Sequence, residues 1–351
     1  MEKIKLGKRW IGPGEPAYII AEIGSNFDGS LARAKKLIDL AKDCGADAAK
    51  FQSFLADKIV SKKGFEGLKA GFQAKWKKPV YSVYKDAEFP RKWHGELFRY
   101  AQSKGIHFFS SPYDKEAVDI LDELGVVAFK IGSGDITWLD MLKYIGRRKR
   151  PVILGCGAST IAEIDQALRA IRSTGNNDLV LLQCVTNYPS HFENANIKAM
   201  KSLGEIFNVL TGYSDHTSGS VVPLGAVALG ACVIEKHFTD DKTRLGPDHP
   251  HAMDAIEFKK MVISIRQLEK ALGSSVKDLY EEEKQTLVLQ RRCLRASKDI
   301  IRGSTITEAM VDILRPLAEG CLYPEYKKII INRKAKLDIK KGEAFTWGKI
   351  L

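Results

Sequence analysis

Ala231-Cys232-Val233-Ile234-Glu235-Lys236-His237-Phe238-Thr239 is a short apolar run that ends abruptly in charged and metal-capable residues. Upstream, Gly212-Tyr213-Ser214-Asp215-His216-Thr217 repeats the pattern. An apolar run such as Ala231-Cys232-Val233-Ile234 reads as a fully buried strand. The polar cluster then sits where the strand leaves the sheet, and in a barrel of parallel strands that exit is where chemistry is done. His216 and His237 therefore anchor the expected site. A single histidine after an apolar run is more often a core or loop residue bonded to backbone; the recurrence at neighbouring strand ends weakens that reading. Neutral imidazoles suit Mn, Zn and Fe, whereas Mg prefers oxygen ligands.

The alternation extends back through the chain. Apolar runs at Ala17 to Ile23, Ala46 to Phe51, Ile106 to Ser110, Ala128 to Ile131, Val152 to Leu154, Leu179 to Gln183 and Val209 to Gly212 read as strands, separated by helical patterns. Ser30 is the expected N-cap of a helix through Lys42 with the apolar face Leu31, Ala34, Leu37, Ile38 and Ala41. The stretch from Ser53 to about Pro90, holding Trp76, Tyr81 and Tyr84, is long enough to be a functional lid. Eight strand-helix units closing with a helix from Ala255 to Leu272 predict an α/β fold, a TIM (β/α)8 barrel over residues 1–273. A doubly wound open sheet is the alternative, but no G-x-G-x-x-G opens a helix. Residues 274–290 read as a polar linker, and 291–351 as a small, mainly β domain too short to be robust alone. Within it, Lys298-Asp299-Ile300-Ile301-Arg302-Gly303 resembles Leu337-Asp338-Ile339-Lys340-Lys341-Gly342-Glu343, and both are strand-then-turn signals.

Composition bounds the function. Hydrophobic content of 44% and charged content of 28% are those of an ordinary globular protein. Met1 to Lys5 has no apolar segment, and Val221 to Ile234 is too short to span a bilayer, so a cytoplasmic protein without a membrane partner is expected. The six cysteines are scattered, without zinc spacing. The net charge of +12 is spread along the chain and no nucleic-acid motif occurs, so anionic metabolites rather than nucleic acid are the expected partners.

The strand ends collect a cationic, hydroxyl-rich set: Glu22; Lys50 and Gln52; Ser110 and Ser111; Lys130 and Ser133; Gly155 and Cys156; Gln183, Thr186 and Tyr188; Ser214, Asp215 and His216; Glu235, Lys236 and His237. Lysines beside buried strands need an anion, because an unpaired buried charge is costly. Either internal carboxylates (Glu22, Asp215, Glu235) or a phosphate or carboxylate ligand would satisfy them.

Ala21-Glu22-Ile23-Gly24-Ser25-Asn26, Ala48-Ala49-Lys50-Phe51-Gln52, Ser110-Ser111-Pro112-Tyr113-Asp114, Lys130-Ile131-Gly132-Ser133-Gly134-Asp135, the two histidine motifs and Gly246-Pro247-Asp248-His249 together resemble the sialic acid synthase family, of the N-acetylneuraminate synthase type. Arg291-Arg292-Cys293-Leu294 and Arg315-Pro316 resemble its antifreeze-like SAF domain. The resemblance covers nearly the whole chain and implies condensation of phosphoenolpyruvate with an N-acylated amino-sugar such as N-acetylmannosamine. The product would be a nonulosonic acid and phosphate. Lys50, Gln52, Ser111, Lys130, Ser133 and Ser214 would hold phosphoenolpyruvate. His216 and His237 would bind a divalent metal, Mn or Mg, that polarises the sugar aldehyde. Glu22 would face the reacting carbons, and Tyr188 and Asp248 the sugar. Arg315 would reach into the barrel of a partner subunit in a domain-swapped homodimer. The acceptor stays open between N-acetylmannosamine, its phosphate and the diacetamido-trideoxy sugars of the pseudaminic and legionaminic acid pathways.

The pattern has departures. Phe27 follows Asn26 where the family often has histidine. Gly155 replaces the serine expected to contact phosphate, leaving only its backbone amide. Thr186 stands one residue beyond the expected threonine, and Ala252 replaces a serine. Trp76, Trp93 and Trp138 are expected in packing rather than as sugar platforms. A Schiff-base aldolase using Lys50 or Lys130, and a catalytically silent anion-binding barrel, are the competing readings.

Overall fold

The computed structural model describes residues 2–67, 71, 73 and 76–351. Parts of the expected lid, residues 68–70, 72, 74 and 75, lie outside the described residues, as does Met1. A small antiparallel hairpin, β1 (Ile4–Leu6) and β2 (Arg9–Ile11), leads in. Eight parallel strands follow: β3 (Tyr18–Gly24), β4 (Ala48–Ser53), β5 (His107–Pro112), β6 (Phe129–Ile131), β7 (Val152–Gly155), β8 (Leu179–Cys184), β9 (Leu210–Asp215) and β10 (Val233–His237). They pair in the order β5-β4-β3-β10-β9-β8-β7-β6, and the two outer strands of that order lie side by side, giving a near-closed TIM barrel.

Side chains alternate along each strand, so every strand feeds two different layers. One row packs outward on the helices: Ile19, Ala21 and Ile23 of β3, or Leu179 and Leu181 of β8, join one continuous core with the helix faces. The Leu31–Asp43 helix contributes Ala34, Leu37, Ile38 and Ala41, and Ser30 caps it by accepting from Arg33 N–H. The other row fills the barrel's interior with Tyr18, Ile20, Ala48, Phe109, Ala128, Ile153, Val180, Leu182, Leu210 and Val233. Two residues further along those same rows stand Glu22, Lys50, Ser111, Lys130, Gly155 and Glu235, and on β9 Ser214 follows Leu210 by four residues, past Gly212. The apolar plug thus ends, and a polar layer begins, at the carboxyl ends of the strands. At Gly212 an added Cβ would strike the Val233 carbonyl and come within 2.8 Å of Leu182, so only glycine fits where β9 and β10 press together.

The register of β3 against β4 slips between Glu22 and Gly24, bending β3 at the barrel mouth. Phe27, which stands where the family often has histidine, is fully buried against Phe51, Phe89 and Trp93 at centroid distances of 6.3, 5.6 and 5.8 Å. The aromatic side chain sits there because a cluster of rings needs burial more than a polar mouth can offer.

The chain divides into two compact units, Met1–Gly273 and Ser274–Leu351. Residues 274–290, expected as a polar linker, are partly helical. They include the helix Lys284–Gln290 and belong to the second unit, where Leu317 N–H donates to Val288 O. In that unit β11 (Cys293–Ala296) and β12 (Val311–Leu314) pair antiparallel around Leu294, Ile306, Ile330, Ala335 and Phe345. The two similar stretches meet each other, with Ile300 and Ile339 exchanging both backbone hydrogen bonds at 2.8 Å. Among the described residues no helix is long and apolar enough to cross a membrane.

Candidate active site

Lys50 is buried at the centre of the polar layer. Its Nζ lies 2.5 Å from Glu22 Oε2, 3.6 Å from Glu235 Oε2 and 3.4 Å from Ser111 Oγ. Lys130 Nζ is 3.4 Å from Glu235 Oε1, which also accepts from Ser214 Oγ at 3.1 Å. Gln52 Nε2 donates to Glu22 Oε1 at 2.6 Å. Six of the expected residues, Glu22, Lys50, Gln52, Ser111, Lys130 and Ser214, thus form one network, with Glu235 as its second carboxylate. Burial works against the Lys50 ammonium, but Glu22 and Glu235 outweigh it and raise its pKa. Lys50 is therefore a poor amine nucleophile, which disfavours the Schiff-base reading at this residue. Burial pushes the Glu22 carboxyl up to about 7; Lys50 opposes the shift and Glu235 adds to it. Glu235 is also buried, yet Lys130 and Lys50 hold its pKa below the ordinary value. One carboxylate is thus firmly ionised while its neighbour titrates near neutrality.

Ser133 opens the short turn after β6. Its Oγ accepts from Gly157 N–H at 2.9 Å and lies 3.1 Å from Cys184 Sγ. A Cβ added at Gly155 would come within 2.8 Å of that Oγ. The glycine that departs from the family pattern is therefore matched to Ser133. Thr186 packs beside Gly157, where an added Cβ would meet Thr186 Cγ2 at 2.8 Å. Arg315 belongs to the C-terminal unit, where it is exposed.

The histidines stand beside this network. His237 ends β10, and the ring of His216, one residue past β9, lies 5.5 Å from it. His216 Nδ1–H donates to the Val185 carbonyl at 2.7 Å, which leaves Nε2 as the lone-pair nitrogen. Burial pushes the His216 imidazole down to about 4 and that of His237 well below its ordinary value, so both are neutral and ligand-competent. Tyr188 packs over both rings, at 4.3 Å from His216 and 5.9 Å from His237.

A third imidazole, His251, was not singled out from the sequence. Its ring is 4.7 Å from that of His237 and 5.1 Å from Tyr188. The local signal was the His-Pro-His run directly after Gly246-Pro247-Asp248. Asp248 Oδ2 accepts from both the N–H and the Oγ of Ser25 at 3.0 Å. Gln52, Tyr188, His237, Asp248 and His251 line a cavity of about 180 Å³ whose other side carries Phe54, Trp76, Val83 and Tyr84. Trp76 therefore borders the cavity, whereas Trp93 packs in the core cluster and Trp138 is exposed. A wider groove of about 760 Å³ opens at the opposite end of the strands, beside Pro13, Leu210 and Cys232. It gathers no comparable set of buried titratable groups, and its Arg266 and Glu269 pair with each other at 2.8 Å.

Comparison with known proteins agrees with this arrangement. The model of the NeuB family matches residues 37–277, which include β4 through β10, and the SAF domain model matches residues 291–351. The chain is 42% identical over 317 residues to the N,N'-diacetyllegionaminic acid synthase of Campylobacter jejuni, covering 89% of this chain and 94% of that one. It is 39% identical over 334 residues to the pseudaminic acid synthase of the same species, covering 94% and 96%. The crystal structure of the N-acetylneuraminic acid synthetase of Leptospira borgpetersenii superposes with a TM-score of 0.72 at 34% identity, over 81% of this chain and 95% of that one. With the match running through the strands that build the polar layer, the chain belongs to the NeuB family and carries a SAF domain at its carboxyl end.

Proposed function

We propose that the protein condenses phosphoenolpyruvate with an N-acylated amino-sugar and water, releasing a nonulosonic acid and phosphate. The observation that carries this reading is the buried Glu22–Lys50–Glu235–Lys130 network opening, through Gln52 and His237, into the aromatic-walled cavity. Relatives named as legionaminic and pseudaminic acid synthases support it.

Lys50 and Lys130 supply point charges for the carboxylate and phosphate of phosphoenolpyruvate, and Ser111, Ser133 and Ser214 supply hydroxyls. The Gly155 and Thr186 positions border the phosphate end through the Ser133–Gly157 turn. Glu22, held by Gln52, stands beside the site of the enol carbon. When that carbon attacks the open-chain sugar aldehyde, positive charge develops on its neighbour, and a fixed carboxylate stabilises it without reorganising. Water then adds to the cationic carbon, Glu22 takes up one of its protons and passes it to the alkoxide left by the aldehyde, and collapse of the tetrahedral centre breaks the carbon–oxygen bond to phosphate, which carries away the remaining hydroxyl proton.

The residues present fit a divalent ion: His237 Nδ1 is buried without a hydrogen-bond partner among the described residues, and His216 keeps Nε2 free. Mn or Mg on His216 and His237 would supply Lewis-acid polarisation of the acceptor carbonyl. Tyr188 and Asp248 line the acceptor side. The apolar wall of Phe54, Val83 and Ala87 suits acyl methyls and a deoxy carbon, which favours a diacetamido-trideoxy acceptor. Arg315 is assigned to a partner subunit's barrel in a homodimer, a reading that rests on the family resemblance.

A phosphate-release assay over N-acetylmannosamine, its 6-phosphate and diacetamido-trideoxy hexoses tests the reading. Release should require phosphoenolpyruvate, acceptor and divalent ion together. Phosphoenolpyruvate binding with no release on any of these acceptors would overturn it in favour of the silent barrel.

A further inference from the structure

His251 reaches His237 by way of a short backbone pairing. After β10 the chain loops out and returns, with Met253 N–H donating to the His237 carbonyl at 2.8 Å and Thr239 N–H to the Met253 carbonyl at 2.9 Å. The 3-10 turn His249–His251 is thereby held over the end of β10. A second tether pins the turn: the His249 ring, fully buried, lies 2.7 Å from Thr239 Oγ1 and 2.9 Å from Asp28 Oδ1. A third is Asp248, whose Oδ2 takes two hydrogen bonds from Ser25.

Three donor atoms converge as a result. One nitrogen each of His237 and His251 and one oxygen of Asp248 lie within 4.8 Å of one another. Ligands of one small divalent ion, each about 2.0–2.2 Å from it, stand up to roughly 4.4 Å apart, so a slight contraction closes the set. His237 is 6% exposed, its Nδ1 is buried, and neither that atom nor the buried Nε2 of His251 has a hydrogen-bond partner among the described residues. Buried polar nitrogens left in this state are rare unless something else satisfies them. The Asp248 carboxylate has an oxygen left over after Ser25 is served.

We propose that His251 and Asp248 join His237 as protein ligands of the divalent ion, so that this chain grips it with at least two imidazoles and a carboxylate. The inference rests on the ion of the proposed function and enlarges the His216–His237 pair. Asp248, which lines the acceptor side with Tyr188, then also acts at the ion. A mixed nitrogen and oxygen set favours Mn, Fe, Co or Zn over Mg, which takes oxygen ligands.

The test uses the full chain stripped with chelator and titrated calorimetrically with Mn(II), Co(II) and Mg(II) in the absence of substrates. Mn(II) should bind at least tenfold more weakly to His251→Ala and to Asp248→Asn than to the parent, and the Co(II) absorption spectrum should change in His251→Ala. Mn(II) should also bind more tightly than Mg(II). If either variant loses its fold by circular dichroism, an anomalous difference map of Mn-soaked crystals of the parent decides, with the ion expected within bonding distance of His251 Nε2. An unchanged isotherm and Co(II) spectrum in His251→Ala, or an ion on His216 and His237 alone, would overturn the proposal while leaving the synthase reading intact. Conversely, His251-dependent binding without phosphate release from any acceptor would sink the synthase reading and leave the site standing.

Discussion

Lys236 Nζ lies 2.5 Å from Asp215 Oδ2, on neighbouring strands, and each residue immediately precedes one of the two histidines. Both side chains point outward from the barrel, and neither is more than 1% exposed. Asp215 Oδ1 accepts from Thr217 N–H at 3.0 Å and Thr217 Oγ1 at 2.9 Å, while Lys236 Nζ also donates to the Thr217 carbonyl. The pair clamps the β9 and β10 exits from behind, so the imidazoles on the inner face share a frame.

Removing one partner leaves a buried charge. Lys236→Met or Asp215→Asn should each lower stability by about 3–5 kcal/mol, because the surviving ion loses its counter-charge. The double variant should lose less than the sum of the two. Urea unfolding of all three measures this; additive losses would show that the two groups do not interact.

Gly155 tests the fit of the phosphate end. A side chain there would push Ser133 Oγ away from Gly157 N–H and Cys184. Gly155→Ala should raise the KM for phosphoenolpyruvate roughly tenfold, about one lost hydrogen bond. The KM for the sugar should move much less. Equal effects on both substrates would place Gly155 outside the phosphate end.

Glu22→Gln keeps the shape and the contact with Gln52 but removes the charge. Phosphate release should fall by roughly 10²–10³-fold, the cost of losing one preorganised electrostatic partner of the transition state. Calorimetric affinity for phosphoenolpyruvate should change by less than tenfold. A variant with parental turnover would remove Glu22 from the chemistry.

His94 sets an acid limit. Its ring is fully buried, 2.5 Å from Ser53 Oγ and 2.9 Å from the Arg91 carbonyl, and burial pushes its pKa down to about 4. The unfolded chain binds a proton near the ordinary pKa of 6.5, so as pH falls from there the unfolded state gains protons first and stability drops until about pH 4. That drop amounts to roughly 3 kcal/mol at most. His94→Gln should be less stable at pH 7 but should flatten this part of the stability-against-pH curve. A parental slope in the variant would assign the drop elsewhere.

The barrel and most of its mouth were legible in the chain because both follow from short-range patterns. A buried parallel strand shows itself as an apolar run, and the first polar residues beyond the plug necessarily surface at its carboxyl end. Glu22, Lys50, Lys130, Ser214 and His237 could thus be placed at the strand ends, in one set with Asp215 and Lys236. What partner each would have could not: Lys50 chooses Glu22 and Glu235, and Lys236 chooses Asp215, because only the folded register decides which row faces inward. Phe27 was legible only as a departure from the family pattern; its ring partners, Phe89 among them, are set by the fold. His251 shows the limit of strand patterns. No strand runs to it, and its approach to His237 depends on a turn stitched down by Met253, His249 and Asp28, contacts between segments far apart in the chain. Local periodicity specifies which side chains reach the end of the barrel; loop closure, which costs entropy and is decided by long-range hydrogen bonds, specifies what meets them there.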